Sequence, residues 1–362
     1  MQPLDPTAII RAGDAFSQSD LLPGRIAQMP RLAMAQLPTP LEEAPRLSAA
    51  LGGTRILLKR DDMTGSGLGG NKVRKLEFII ARALQEGADT LIACGGFQSN
   101  LARIAAAMAN RVGMRAELVL GGLPDEPRPV VGNLLLDTLL GANVTYVNTM
   151  PRWDFGDSIE RVAESVRQRG GRPYVVPLGG SGPEGIAGYV CASLELKQQL
   201  AALNLAPQRL VVGVGSGGTY SGLVLGQMNL GMSYRVTGIS VSRTREYLVD
   251  KIPEFAREAA AELNLTHSPE AADVEVYDEY IGDSYGALTD NCSEAIRLTA
   301  SKEGVILDPV YSGKAMAGLI GLIRSGVIGP RETVIFLHTG GQPALFAYEP
   351  GKLLADPAAG VA

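Results

Sequence analysis

The sequence has little histidine, little cysteine and no basic cluster, and each shortage excludes a class of protein. Its 362 residues include only two histidines, His267 and His338, so no paired-histidine or Cys/His zinc pattern can be written and no metal site is expected. Three cysteines without a CxxC motif predict reduced thiols in the cytoplasm and no disulfide framework. The net charge is −5 and no Lys/Arg run exceeds two residues, so a nucleic-acid or membrane surface is not expected.

Long apolar runs and a leader pattern are missing as well. No segment approaches the length of a transmembrane helix, and residues 1–11 lack the basic region that begins a signal peptide. A Ser-His-Asp hydrolase is formally possible through His338, but no GxSxG elbow accompanies it. We therefore expect any catalysis to come from lysine, tyrosine and serine, with a cofactor as the electrophile.

What the chain does have is glycine, 44 residues in total, and a regular alternation of short apolar runs with helix-period segments. This alternation is typical of right-handed βαβ units with mostly parallel sheets, and the length allows two domains or one large one. The Gly- and Pro-rich segment 121–129 is predicted to be a surface loop. Strands are predicted at 55–58, 90–93, 116–120, 143–147, 174–176, 209–214, 235–241 and 333–338. Helices are predicted at 72–85, 100–111, 130–140, 157–169, 185–200, 219–229, 246–263, 287–302 and 313–324.

The most informative stretch of the chain is Gly69-Gly70-Asn71-Lys72, which leads into an amphipathic helix. The two glycines lack a Cβ atom, so another group can approach the backbone closely at this point. A lysine placed there loses its proton more easily through desolvation and is suited to form a Schiff base with a carbonyl group.

A second glycine-rich stretch, 213–219, joins an apolar strand to a helix. Backbone N–H groups at such a helix N-terminus bind anions, most naturally a phosphate. A dinucleotide site would need an acidic residue at the end of the next strand, and the sequence there, 239–242, has none. A lone phosphate is therefore favoured over a dinucleotide, and a tight turn without a ligand is the simpler alternative.

Three further loops carry polar side chains between predicted strands and helices. Ser99 or Asn100 caps a helix, and the pair also offers a hydroxyl to a carboxylate and an amide to a phenolic oxygen. Tyr285 lies in a glycine-bounded loop, and Tyr311 directly precedes a helix. Tyrosines in such loops are more often packed or solvent-bridging than catalytic, so each is weak evidence by itself.

Together and in order, these motifs resemble the pyridoxal-phosphate (PLP) enzymes of the tryptophan-synthase β fold, or fold type II. The similar branch holds 1-aminocyclopropane-1-carboxylate (ACC) deaminases and D-cysteine desulfhydrases. Within about 59–348, the matching motifs are GGNKxRKLE at 69–77, QSN at 98–100, GNLLLD at 132–137, DPVY at 308–311 and HTGG at 338–341. The resemblance implies two three-layer α/β domains with mostly parallel sheets, the cofactor in the cleft between them, and a homodimer. The small domain would span 75–187, and the large one 1–74 and 188–362.

The same resemblance implies roles for individual residues. Lys72 would carry PLP as a Schiff base and, once freed, remove the α-proton of a small amino-acid substrate. The chain departs from the family at Leu101, where relatives usually have a polar His or Gln, and this change alters the expected substrate pocket. The implied catalytic set is Lys72, Ser99 at the substrate carboxylate, and Tyr285 and Tyr311 facing the substrate. The implied cofactor-binding set is Lys72, Lys75, Asn100 at the phenolic oxygen, Gly215, Ser216, Gly217, Gly218, Thr219, Ser312 and Thr339.

Ser312 favours one reaction of this branch over another. In the deaminase pattern this position holds a glutamate, which keeps the pyridine nitrogen protonated and makes the ring a strong electron sink. A serine hydroxyl can only donate a hydrogen bond to an unprotonated nitrogen, which suits the elimination of a good leaving group. The alternative is that Ser312 merely caps a helix. The expected reaction is α,β-elimination from D-cysteine to pyruvate, ammonia and sulfide, with L-cysteate sulfo-lyase or ACC deaminase activity as alternatives.

Two alternatives from other classes stay open. A nucleotide-dependent oxidoreductase is disfavoured by the missing acidic residue after the second glycine-rich loop. A non-catalytic PLP-binding or regulatory protein is disfavoured by the intact Lys72 and by both tyrosines. A visible absorption spectrum would separate these classes.

Overall fold

A computed structural model describes residues 9–15, 19–122, 129–148 and 154–354. Within these ranges, every helix is too short or too polar to cross a membrane. The strands are β1 (Ile9–Arg11), β2 (Pro30–Leu32), β3 (Leu41–Glu43), β4 (Arg55–Lys59), β5 (Thr90–Gly96), β6 (Arg115–Gly122), β7 (Asn143–Asn148), β8 (Pro173–Val175), β9 (Arg209–Val214), β10 (Arg235–Ser240), β11 (Glu275–Tyr277) and β12 (Thr333–Leu337). The α-helices are α1 (Pro45–Ala50), α2 (Lys72–Gln85), α3 (Asn100–Arg111), α4 (Gly132–Leu139), α5 (Gly156–Gln168), α6 (Pro183–Ala202), α7 (Gly218–Asn229), α8 (Arg245–Leu263), α9 (Asp290–Glu303), α10 (Ser312–Arg324) and α11 (Pro350–Leu354).

The strands form two main sheets that are mostly parallel, which confirms the class predicted from the alternation. The larger sheet has the order β11-β10-β9-β12-β4-β3, and only its edge strand β3 runs antiparallel. Apolar side chains of α9 and α10 cover one face of this sheet, and those of α6 and α7 cover the other. The smaller sheet, β7-β6-β5-β8, is parallel throughout. It lies wholly within 75–187, and the division into domains at those bounds stays a prediction.

Helix α2 joins the two sheets and has the bounds that its apolar spacing predicts. The chain turns sharply before it, because Gly70 adopts a φ of +127°, a conformation that residues with a Cβ rarely adopt. The same turn lets the chain before α2 approach the loop after β12 closely, since a Cβ on Gly340 would lie 2.7 Å from the Cα of Gly70. Lys72 therefore begins its helix at the junction of the two sheets.

A buried ion cluster fixes α2 against the larger sheet. The guanidinium of Arg74 donates to Asp61 Oδ1 at 2.8 Å and to Glu195 Oε2 at 2.9 Å, with all three side chains almost fully buried. The hydroxyl of Tyr189 donates to the other oxygen of Asp61 at 2.7 Å. Because Asp61 follows β4 while Glu195 and Tyr189 lie on α6, the cluster positions the first turn of α2, and Lys72 with it.

The elements that the sequence did not predict are short or peripheral. Strands β1, β2, β3 and β11 have three residues each, and β3 reads Leu-Glu-Glu, which has no apolar run. Helices α1 and α11 have six and five residues, too few for a periodic pattern to be visible. Of the predicted loop at 121–129, residues 121 and 122 end β6, and 123–128 lie outside the described residues.

Candidate active site

A cleft opens where the carboxyl ends of β5 and β9 face each other across the two sheets. The loop after each strand contributes to its wall, as does Leu101, the residue at which the chain departs from the family pattern. The tertiary structure thus brings together residues that lie up to 267 positions apart, from 72 to 339. The sequence-predicted site residues that line the cleft are Lys72, Ser99, Asn100, Gly215, Ser216, Gly217, Thr219, Tyr285, Tyr311 and Thr339.

Lys72 projects into this cleft from the first position of α2. Its Nζ donates to the carbonyl oxygen of Gly179 at 3.1 Å. Loss of contact with water lowers the pKa of Lys72 to about 8, since no carboxylate compensates for the desolvation of its ammonium. A substantial fraction of this amine is therefore neutral near pH 8, as a nucleophile or general base requires.

The glycine-rich loop forms an anion cradle at the start of α7. Gly217 precedes the helix with a φ of +92°, and its position offers no side chain to cap the first turn. A Cβ on Gly218 would lie 2.5 Å from Ser181 Oγ, so only glycine permits this close packing. Thr219 Oγ1 accepts from Asn71 Nδ2 at 3.0 Å, which orients the threonine hydroxyl beside the free N–H groups. This geometry fits a phosphate group.

A chain of hydrogen bonds orients the amide of Asn100. Arg103 Nε can only donate, and it donates to Asn133 Oδ1 at 2.7 Å. This bond fixes which end of the Asn133 amide is the oxygen, so the opposite end is Nδ2. Asn133 Nδ2 donates to Asn100 Oδ1 at 2.9 Å. The Oδ1 of Asn100 is thus occupied, and its Nδ2 is left as a donor suited to a phenolate oxygen. The sequence analysis gave no role to Arg103 or to Asn133, although Asn133 lies in the matching GNLLLD motif, because nothing local shows that a residue acts through another.

Ser99 has the capping role that the sequence predicts. Its Oγ accepts from the backbone N–H of Ala102 at 3.2 Å, and its side chain is 7% exposed at the wall of the cleft. The hydroxyl can still donate a hydrogen bond while it accepts this one. Capping and substrate binding are thus compatible at this position, and the binding role stays a prediction.

The two predicted tyrosines meet at the cleft. Their hydroxyl oxygens, on Tyr285 and Tyr311, lie 3.0 Å apart, and the rings pack edge to face with centroids 6.1 Å apart. Burial raises the pKa of Tyr311 to about 12 and that of Tyr285 well above its ordinary value. Both phenols are therefore neutral near pH 7. One of them donates a hydrogen bond to the other, and the accepting hydroxyl keeps its own proton for a ligand.

Ser312, Lys75 and Gly218 do not lie on the wall of the cleft, in contrast to the expectation that all three contact the cofactor. The hydroxyl of Ser312 donates to Asp308 Oδ1 at 2.6 Å and accepts from Asp308 N at 2.8 Å. A bond to a ring nitrogen would require this hydroxyl to leave Asp308. Lys75 is fully buried one turn after Lys72, and its Nζ donates to Gly179 O at 3.1 Å. The roles of all three residues toward a cofactor stay predictions.

His338 is buried outside the cleft. Its Nδ1 accepts from the N–H of Gly340 at 3.2 Å, so Nε2 carries the proton and donates to Ile306 O at 3.0 Å. Burial lowers the pKa of this imidazole, which is therefore neutral. Across the described ranges no serine hydroxyl is bonded to it, and the hydrolase alternative has no geometric support.

Comparison with known proteins assigns the chain to a class. Residues 32–340 match the family of pyridoxal-phosphate dependent enzymes. The chain belongs to this family, its fold is that of the type II PLP enzymes, and its cofactor is PLP. The structure fits this cofactor because a desolvated lysine and the glycine-rich start of α7 line the same cleft.

Individual proteins show which members of the family the chain is similar to. The chain is 41% identical over 328 residues to D-cysteine desulfhydrase of Salmonella choleraesuis (strain SC-B67), covering 90% of this chain and 98% of the relative. Among solved structures it is similar to an ACC deaminase homologue, with a TM-score of 0.83, 38% identity, and coverage of 92% of this chain and 97% of the other. A fungal L-serine ammonia-lyase from Rhizomucor miehei shares the fold, with a TM-score of 0.60, 21% identity, and coverage of 84% and 93%.

Proposed function

We propose that this protein is a PLP-dependent carbon–sulfur lyase that performs α,β-elimination on a small amino acid, with D-cysteine as the substrate. The observation that carries the proposal is the pairing of Lys72, with its pKa of about 8, and the glycine cradle within one cleft. The nearly full-length similarity to a D-cysteine desulfhydrase supports this choice of substrate. The products would be pyruvate, ammonia and sulfide.

Each group of residues in the cleft has its own proposed role in this reaction. The bound cofactor supplies an electron sink that stabilises negative charge at the substrate Cα. Lys72 would hold the cofactor through Nζ and, as a neutral amine, take the α-proton. The loop at 215–219, with Lys75, would hold the phosphate, and Asn100 Nδ2 would donate to the phenolic oxygen. Ser99 would hold the substrate carboxylate, and the neutral phenols of Tyr285 and Tyr311 would face the substrate.

Position 312 supports elimination over opening of a cyclopropane ring. A carboxylate at this position would charge-pair with a protonated ring nitrogen, whereas the neutral Ser312 cannot. A weaker electron sink is sufficient when the leaving group departs readily, as a thiol or sulfite does. Cleavage of L-cysteate is the second candidate, because Leu101 lines the cleft and changes the polarity of the pocket. ACC deamination is the third.

A side-by-side assay tests the proposal. Keto-acid release is measured from D-cysteine, L-cysteate, D-serine and ACC with the purified, PLP-loaded protein. We expect the fastest turnover with D-cysteine, accompanied by sulfide. Rapid turnover of ACC alone would refute the argument from Ser312. A yellow protein that converts none of the four would instead support a non-catalytic PLP-binding protein.

Two further statements complete the proposal. We propose a homodimer, on the family resemblance, and a cytoplasmic location, because Cys94, Cys191 and Cys292 are buried free thiols as a reducing compartment permits. Light scattering coupled to size exclusion tests the first statement, and fractionation of the native cell tests the second. We also propose 75–187 as the small domain, which limited proteolysis near both boundaries would test.

A further inference from the structure

Arg243 places a positive charge on the wall of the cleft. The described residues that line the cleft include two cations, Lys72 and Arg243, and no carboxylate. Lys72 is neutral in its working form and is committed to the cofactor. Arg243 is therefore the cation that remains for the part of the cleft not taken by the cofactor, where the substrate must bind.

The loop that carries Arg243 is held in place by its own hydrogen bonds. The buried hydroxyl of Ser240, at the end of β10, donates to Arg243 O at 2.6 Å and accepts from Arg243 N at 3.2 Å. Thr244 then caps α8 by accepting from the N–H of Tyr247. The guanidinium lies over the ring of Tyr247, 5.2 Å from its centroid, a contact that restrains it without neutralising it.

The guanidinium of Arg243 is available to a ligand. In the described part of the chain it makes no hydrogen bond and no ion pair with a side chain or carbonyl. Five N–H donors at a half-buried position are thus left for water or for an anion. The cofactor phosphate does not require them, because the first turn of α7 and Thr219 already offer it an anion site.

We propose that Arg243 is a specificity-determining residue that binds an anionic substituent on the β-carbon of the substrate. The proposal rests on the proposed function, since it names the substrate class of the same cleft. The class is β-substituted amino acids whose leaving group is an anion of sulfur, with a sulfonate as the strongest ligand. A planar guanidinium binds such an oxyanion through two parallel N–H···O bonds.

The reaction balances for such a substrate. The Cα–H bond breaks with its proton taken by Lys72, and the Cβ–S bond breaks with its electron pair leaving on sulfur. Water then hydrolyses the released three-carbon enamine to pyruvate and ammonia. Cysteate and water thereby give pyruvate, ammonia and sulfite, with no oxidant or reductant. Arg243 would bind the charge that the sulfonate carries before cleavage and that sulfite carries after it.

The test compares Arg243→Gln and Arg243→Lys with Arg245→Gln, a matched loss of charge at an exposed neighbour outside the cleft wall. Calorimetry measures the binding of 3-sulfopropanoate, which lacks an amino group and cannot react, to the holoenzymes. We expect Arg243→Gln to weaken binding by at least about tenfold, Arg243→Lys to restore part of it, and Arg245→Gln to leave it unchanged. In turnover, Arg243→Gln should lower kcat/KM for cysteate far more than for 3-chloroalanine, whose chloride departs readily.

Each other outcome has a definite meaning. Equal losses for cysteate and 3-chloroalanine would overturn the proposal, because they indicate a structural role. A lower affinity of Arg243→Gln for PLP would also overturn the proposal, because it would indicate that Arg243 contacts the cofactor phosphate. Loss of the visible absorption band during dialysis measures this affinity. Absence of 3-sulfopropanoate binding to the wild-type protein would also overturn it. If D-cysteine, cysteate and 3-chloroalanine all give no pyruvate, the proposed function fails, and the calorimetry still decides the role of Arg243.

Discussion

Lys72 and Lys75 donate to the same acceptor, the carbonyl oxygen of Gly179, each at 3.1 Å. Two ammonium groups that share one carbonyl would repel each other. Burial is the main cause that lowers the pKa of Lys75 well below its ordinary value, and the nearby Lys72 lowers it further. Both amines are therefore neutral over a wider range of pH than that of an ordinary lysine.

We expect Lys72 to be the lysine that carries the cofactor. Borohydride reduction of the yellow protein, followed by peptide mass mapping, should place the PLP label on Lys72, because this lysine lines the cleft with a lowered pKa. Lys72→Ala should abolish the label, while Lys352→Ala, at an exposed lysine, should keep it. A label on another lysine would refute the site model.

Attachment of PLP to the apoprotein should accelerate with rising pH through about 8. Only the neutral amine attacks a carbonyl, and the pKa of Lys72 is lowered to about 8 from 10.5. Below pH 8 the rate should fall about tenfold per unit, and above it the rate should level off, whereas an ordinary lysine would level off near 10.4. Stopped-flow absorbance measures this profile, and a rate still rising at pH 10 would contradict the desolvated lysine.

Phosphate binding to the apoprotein should take up a proton through Lys75. Burial lowers the pKa of Lys75, and an anion that arrives beside its amine would raise this pKa again, so binding is coupled to proton uptake. Calorimetry with inorganic phosphate near pH 7.5, in buffers of different ionisation enthalpy, counts the protons. Lys75→Met should remove the uptake and weaken binding by about tenfold or more, and Lys352→Met should change neither. Proton uptake that survives in Lys75→Met would exclude this lysine.

Asn133→Asp should disturb the cofactor without breaking the contact to Arg103. An aspartate still accepts from Arg103 Nε, but it cannot donate to Asn100 Oδ1, so Asn100 is free to turn its donor away from the cleft. We expect a shifted visible absorption maximum and PLP affinity lowered by roughly fivefold to 100-fold. The control is Asn110→Asp, at an exposed asparagine that links α3 to Leu140. An unchanged spectrum would show that Asn133 acts only in packing.

Arg74→Met should cost about 3–5 kcal/mol of unfolding free energy, because it leaves the carboxylate of Asp61 buried without its cation and Glu195 paired with Lys59 alone. The matched control on the same helix is Arg82→Met, whose exposed pair with Glu86 contributes only about 0.3–0.5 kcal/mol. Denaturation by urea, followed by circular dichroism, measures both values. Equal losses in the two variants would contradict the role given to the buried cluster.

The parts of the molecule that sequence patterns predict are those that local interactions decide. The bounds of α2 and α3 agree with the apolar spacing because an amphipathic helix must bury one face. Short edge strands such as β3 and β11 were not predicted, because their pairing depends on a neighbour far along the chain. The resemblance named most residues of the cleft wall, but Arg243 was not among them.

The sequence by itself determined the class of the protein, because each motif combines a local turn, its glycines and its chemical group within a few residues. Only the tertiary structure decided how distant groups act together. The contact of Lys75 with Gly179, the orientation of Asn100 by Arg103 through Asn133, and the bonding of Ser312 to Asp308 all depend on side-chain direction. The position of Arg243 on the wall of the cleft depends on which loops fold beside it, because the surroundings of a charge are set by all its neighbours in space.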